Sequence, residues 1–106
     1  MQLPLCKSVE LSTSHITEND SQILSEMADA FSETRSDGPT RPAVLATRYG
    51  FVIVIGQLTA DGIIKNGASS ELVSILNYCL KPEHGIVYLA FDSDGEKIDE
   101  LAQFEW

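Results

Sequence analysis

From Lys7 to Ser12 apolar and polar positions alternate, with Val9 and Leu11 on one side and Ser8, Glu10 and Ser12 on the other. That is the period of a strand with one buried face. Thr17 then stands where a cap is needed, and Glu18 and Asp20 place negative charge in the first turn of a helix, where its dipole favours it. Ile23, Leu24, Met27, Ala30 and Phe31 recur at intervals of three and four and define one apolar stripe of a helix from Glu18 to Glu33. The helix should stop before the turn residues Ser36-Asp37-Gly38-Pro39, flanked by Arg35 and Arg41. From Ala43 the chain turns β-rich: Val44, Leu45 and Thr47 form one run and Phe51 to Ile55 another, hinged at Tyr49-Gly50 as a hairpin. Because Phe51 to Ile55 is apolar at successive positions, that strand is expected to be central and covered on both faces.

Asp61-Gly62 reads as a second turn, of a smaller hairpin with Ile63 and Ile64. Ser69 or Ser70 can cap a second helix with the stripe Leu72, Ile75, Leu76, Cys79 and Leu80, which ends at Lys81-Pro82. Ile86 to Phe91 is a last strong strand. The order β, α, β, β, α, β is the split βαβ arrangement of ferredoxin-like domains. The expected fold is therefore one α+β domain over residues 1–106, two helices packed on one face of a mainly antiparallel sheet, with residues 92–106 an acidic C-terminal segment.

A chain of 106 residues with 43% hydrophobic positions can bury a core without staples. Cys6 and Cys79 have no neighbouring Cys or His at metal-ligand spacing, which favours reduced thiols in a cytoplasm. No apolar run approaches the roughly 18 residues of a membrane span. Charge changes the picture most. Five negative charges fall between Glu18 and Glu33 and a further five, net of Lys97, between Asp92 and Trp106, while the rest of the chain carries +1 and brings the formal net charge to −9. A negative surface repels nucleic-acid phosphates and anionic lipid, so direct nucleic-acid and membrane binding are not expected.

Catalytic signatures are weak. Arg48-Tyr49-Gly50-Phe51-Val52 resembles the middle of an RNA-recognition motif, but Arg48 stands where Gly is wanted and Val54 where an aromatic is wanted, so hairpin packing is preferred. His15, Glu18 and Asp20 at the first strand-to-helix junction, with Asp92 and Asp94 beyond the last strand, offer a metal-binding alternative built on His15 and Asp92/Asp94. The plainer reading assigns Glu18 and Asp20 to the helix dipole and Asp92-Ser93-Asp94-Gly95 to a turn. Ser12, Thr13 and Ser14 beside His15 do not by themselves make a triad, and neither phosphate-binding nor dinucleotide glycine spacing is present. No catalytic residue, resident metal or cofactor is therefore assigned.

What remains is the acid pattern. Glu26, Asp29 and Glu33 project in a row from one helical face, and Asp92, Asp94, Asp99 and Glu100 crowd the terminus, where Phe104 and Trp106 are expected to dock back on the domain. Taken together, Ser12-Thr-Ser-His-Ile-Thr-Glu18, Arg48-Tyr-Gly-Phe51, Asp92-Ser-Asp-Gly95 and Phe104-Glu-Trp106 resemble a family of small proteins carried by plasmids, integrative elements and phages, often encoded near antirestriction genes. The resemblance implies a non-enzymatic counter-defence inhibitor, anti-CRISPR or antirestriction in kind. Its partner would be a host nuclease or CRISPR effector with a basic groove, contacted by Glu26, Asp29, Glu33, Asp92, Asp94, Asp99 and Glu100. An accessory interaction domain, and a homodimer through an exposed sheet edge, stay open alongside it.

Overall fold

The structure, a computed structural model, describes residues 2–34 and 43–106, with side chains described for 2–30 and 43–106. Its elements are β1 (Lys7–Ser12), α1 (Glu18–Thr34), β2 (Val44–Ala46), β3 (Gly50–Val54), α2 (Gln57–Lys65), α3 (Ser70–Leu80) and β4 (Ile86–Asp92). Single 3-10 turns at Thr13–His15 and Pro82–His84 join β1 to α1 and α3 to β4. The turn expected at Ser36 to Pro39, with Arg35 and Arg41, lies outside the described residues.

Four strands form one sheet in the order β1-β4-β3-β2. β2 with β3 and β3 with β4 are antiparallel, whereas β1 and β4 are parallel. Register explains the core. Val9, Leu89, Ile53 and Val44 pair side by side across all four strands, and Leu11, Phe91 and Phe51 make a second row. Both rows join one hydrophobic cluster with Leu24 of α1, Ala60 and Ile63 of α2, and Leu72, Ile75 and Leu76 of α3. Full burial of each such Leu, Ile or Phe contributes roughly 1.5–3 kcal/mol. Close approach of β3 to β4 requires Gly50, where a Cβ would overlap the Phe91 carbonyl.

The α+β class is as expected, but the ferredoxin-like order is not what the sheet shows. Among the described residues there are three α-helices, in the order βαββααβ. A split arrangement puts a strand between each parallel pair, whereas β1 and β4 are parallel and adjacent, with β1 at the edge. Asp61-Gly62 is not a hairpin turn but lies within α2, whose Ala60 and Ile63 are buried one turn apart. Gly62 lies close to α1, with the Met27 Cε 3.7 Å from where a Cβ would be, an ordinary contact distance.

β3 is an inner strand, yet it is not covered on both faces. Phe51 and Ile53 are buried while Val52 and Val54 are half-buried on the opposite face, beside Tyr88 and Ala90 of β4. On α1, Ile23 and Leu24 are buried and Met27 half-buried as expected, but Ala30 is exposed and Ala28 turns inward instead. Phe31 has its side chain outside the described residues.

Candidate functional site

The start of α1 is fixed by a reciprocal cap. The Asp20 N–H donates to Thr17 Oγ1 at 3.0 Å, and the Thr17 N–H donates back to Asp20 Oδ2 at 3.0 Å. Asp20 is wholly buried and does more than complement the dipole. It also accepts from the Ser69 N–H at 2.8 Å and the Ser69 hydroxyl at 2.5 Å, while Ser69 Oγ caps α3 by accepting from Leu72 N. One carboxylate thus ties together the N-termini of α1 and α3, and three donors replace the water its charge loses on burial.

Beyond β4 the chain reverses at Asp92, whose side chain accepts from Asp94 N at 2.9 Å and whose carbonyl accepts from Gly95 N at 2.9 Å. This is the Asx turn that the sequence offered as the plainer reading of these residues. The segment then runs beside β1. Ser12 N donates to the Glu96 carbonyl at 2.8 Å, and Leu11 bridges Glu96 in parallel. Gly95 permits the approach, since a Cβ there would overlap the backbone of Leu11. Further along, Phe104 N donates to the Ser14 carbonyl at 2.7 Å and Trp106 Nε1 donates to the Ile16 carbonyl at 3.0 Å, so the backbone of Phe104 and the indole N–H of Trp106 tie this stretch to the domain, while the Trp106 ring stays 56% exposed.

At the centre of this seam is His15, fully buried in the 3-10 turn. Nδ1 is 2.8 Å from the Ala102 carbonyl and Nε2 accepts from Ile98 N at 2.9 Å. A carbonyl can only accept and an amide N–H can only donate, so the ring is neutral with its hydrogen on Nδ1. Imidazolium would set a second N–H against that of Ile98. Both nitrogens are committed to holding the segment, which leaves no lone pair for a metal. Asp20 turns to Ser69 and Asp92 to its own turn, so the residues of the metal alternative are not gathered. Among the described residues, no three or more His, Cys, Asp or Glu side chains are placed to hold a metal ion.

The acids expected to touch a partner divide into two groups. Asp94, Asp99 and Glu100 are exposed on the latched segment, along the sheet edge formed by β1, and Asp92 is half-buried at its start. Glu26 and Asp29 are exposed on α1, which packs against β2, the opposite edge of the sheet. Glu33 falls in the last turn of α1, with its side chain outside the described residues. Elsewhere, Phe51 lies in the core and Tyr49 is exposed with the Arg48 guanidinium 5.4 Å from its ring centroid, so the hairpin has no pair of stacking aromatics. Burial pushes the Cys79 thiol up to about 11, which suits a core residue and not a nucleophile.

Sequence reasoning missed the Asp20–Ser69 bond and the His15 latch. The signal available for the latter was the pair Ile98 and Leu101, apolar at a spacing of three inside an otherwise acidic stretch.

These features define a small α+β module whose acidic C-terminal segment is a built part of the fold, held by backbone and ring hydrogen bonds. The chain belongs to the family described as "Family of unknown function (DUF5983) C-terminal domain", which matches residues 8–106. No curated protein and no solved structure matches the chain.

Proposed function

We propose that this chain is a non-enzymatic counter-defence inhibitor, anti-CRISPR or antirestriction in kind, acting in the cytoplasm. It occupies a basic nucleic-acid-binding surface of a host nuclease complex with the carboxylates of its C-terminal segment, without itself touching nucleic acid. The observation behind this reading is the latch: Asp94, Asp99 and Glu100 are exposed on a backbone tied to Ser12, Ser14 and His15. Carboxylates on a fixed scaffold lose little freedom on binding, and so retain more of their Coulomb gain than those of a loose solubilising tail. The sequence resemblance to proteins encoded near antirestriction genes supplies the setting.

The test is a protection assay in cells, scoring plasmid transformation or phage plating against a panel of restriction and CRISPR systems. Wild type is expected to protect against at least one system. Reversing Asp94, Asp99 and Glu100 to Lys should abolish protection while the purified variant still folds. Association with the isolated target should be fast and should weaken as salt rises. Protection by no system, or full protection by the triple variant, would refute the reading. Reversal of Glu26, Asp29 and Glu33 to Lys reports separately on α1; undiminished protection there removes α1 from the interface.

A further inference from the structure

Between β1, α3 and the latched segment lies a half-open apolar cavity of about 450 Å³. That is within the range of roughly 300–1,000 Å³ typical of sites that bind organic groups. Its floor is Leu11, Ile75 and Cys79, all buried. Its outer wall is the segment itself. Leu101 N donates to the Ile98 carbonyl at 3.0 Å, closing a tight turn in which Ile98 and Leu101 face the cavity while Asp99 and Glu100, at the tip, are exposed. On the opposite lip Tyr78 is 54% exposed, and its ring is held by stacking on His84 at 4.1 Å between centroids. Lys97, the one base of the segment, faces a separate polar hollow with Ser12 and Ser14.

We infer that this cavity receives the apolar side chains of a basic amphipathic helix on the partner protein, with flanking Lys or Arg side chains paired to Asp99 and Glu100. Charge complementarity selects this occupant. A fatty acid or anionic lipid seated in the cavity would bring its own negative head to the two carboxylates and be repelled. A helix that lays apolar residues at intervals of three and four into a groove, with bases beside them, satisfies floor and rim together. An exposed tyrosine beside an apolar pocket is also the kind of residue on which binding energy concentrates when a partner covers it. This rests on the acidic-segment reading above and adds to it an apolar anchor.

The experiment uses three labelled synthetic peptides of equal length in fluorescence anisotropy: a helical Leu/Lys amphipath, a Ser/Lys peptide of the same charge, and a helical Leu/Glu amphipath. Wild type should bind the Leu/Lys peptide at least about tenfold more tightly than the Ser/Lys peptide, and the Leu/Glu peptide not at all. Ser74→Trp, which fills the cavity from its α3 lip, should remove that tenfold preference while leaving the Ser/Lys peptide unaffected; Leu101→Asn, which makes the wall polar, should do the same. Asp99→Asn with Glu100→Gln should weaken both basic peptides. Equal binding of the two basic peptides, or an unchanged preference in both cavity variants, overturns the anchor while leaving the acidic surface standing. Binding of neither basic peptide counts against the acidic surface and the anchor alike. Binding of the Leu/Glu peptide overturns the choice of a basic occupant.

Discussion

His15→Phe isolates the latch, because it keeps a planar ring in a fully buried site and deletes both of its hydrogen bonds. The two losses are unequal. Ala102 is exposed, so water can replace the ring as donor to its carbonyl. Ile98 is half-buried and its N–H would face ring carbon, an unmade bond that costs about 1–3 kcal/mol, against about 1 kcal/mol for an ordinary exchange with water. Together they weaken the seam by about 2–4 kcal/mol. The damage should be local, since the rows Val9-Leu89-Ile53 and Leu11-Phe91-Phe51 are held by strand pairing and neither hydrogen bond of the ring reaches them. Amide hydrogen exchange is the assay: the Ile98 and Phe104 amides should lose protection by about 30- to 800-fold while the Leu89 and Ile53 amides change far less. Wild-type protection at Ile98 and Phe104 in the variant would show that His15 does not hold the segment.

Asp20→Asn keeps the shape of the side chain but presents an NH₂ where the carboxylate accepts from Thr17 and Ser69. Stability by urea denaturation should fall by about 2–4 kcal/mol, with the α1 and α3 N-termini fraying together. Thiol reagents at pH 8 should modify Cys6, which is exposed, and spare Cys79 until the chain unfolds. The sign of its pH dependence follows. The folded state keeps the Cys79 proton up to about 11, whereas the unfolded thiol loses it from an ordinary 9.0, so the unfolded state binds fewer protons between the two. Stability should therefore decline from pH 9 towards 11, and Cys79→Ala should flatten that decline in denaturation measured across the range.

Local periodicity is a good guide where an element meets its surroundings through one face. The alternation of Lys7 to Leu11 and the stripe of α3 match the structure because burial on one side imposes a period that neighbouring residues display, whereas Ser12, expected on the polar side, is buried, and the hairpin turns at Arg48-Tyr49 with Gly50 already in β3. α2 escaped for the complementary reason. Its only buried positions are Ala60 and Ile63, too few to outweigh the turn signal of Asp61-Gly62, and the α3 and core residues they pack with lie outside the local pattern.

By itself the sequence determined the strands, two of the three described helices, a cap at Thr17 and another at Ser69 or Ser70, and the gathering of negative charge into two segments, since each depends on residues a few positions apart. Tertiary structure alone decided that β1 lies beside β4, that Asp20 reaches Ser69, and that His15 meets Ile98 and Ala102. Those partners lie from 49 to 87 residues apart, and the hydrogen bonds that join them fall largely on backbone atoms, which every residue type carries alike. An acidic terminus pinned by its backbone therefore reads, along the chain, the same as one left free.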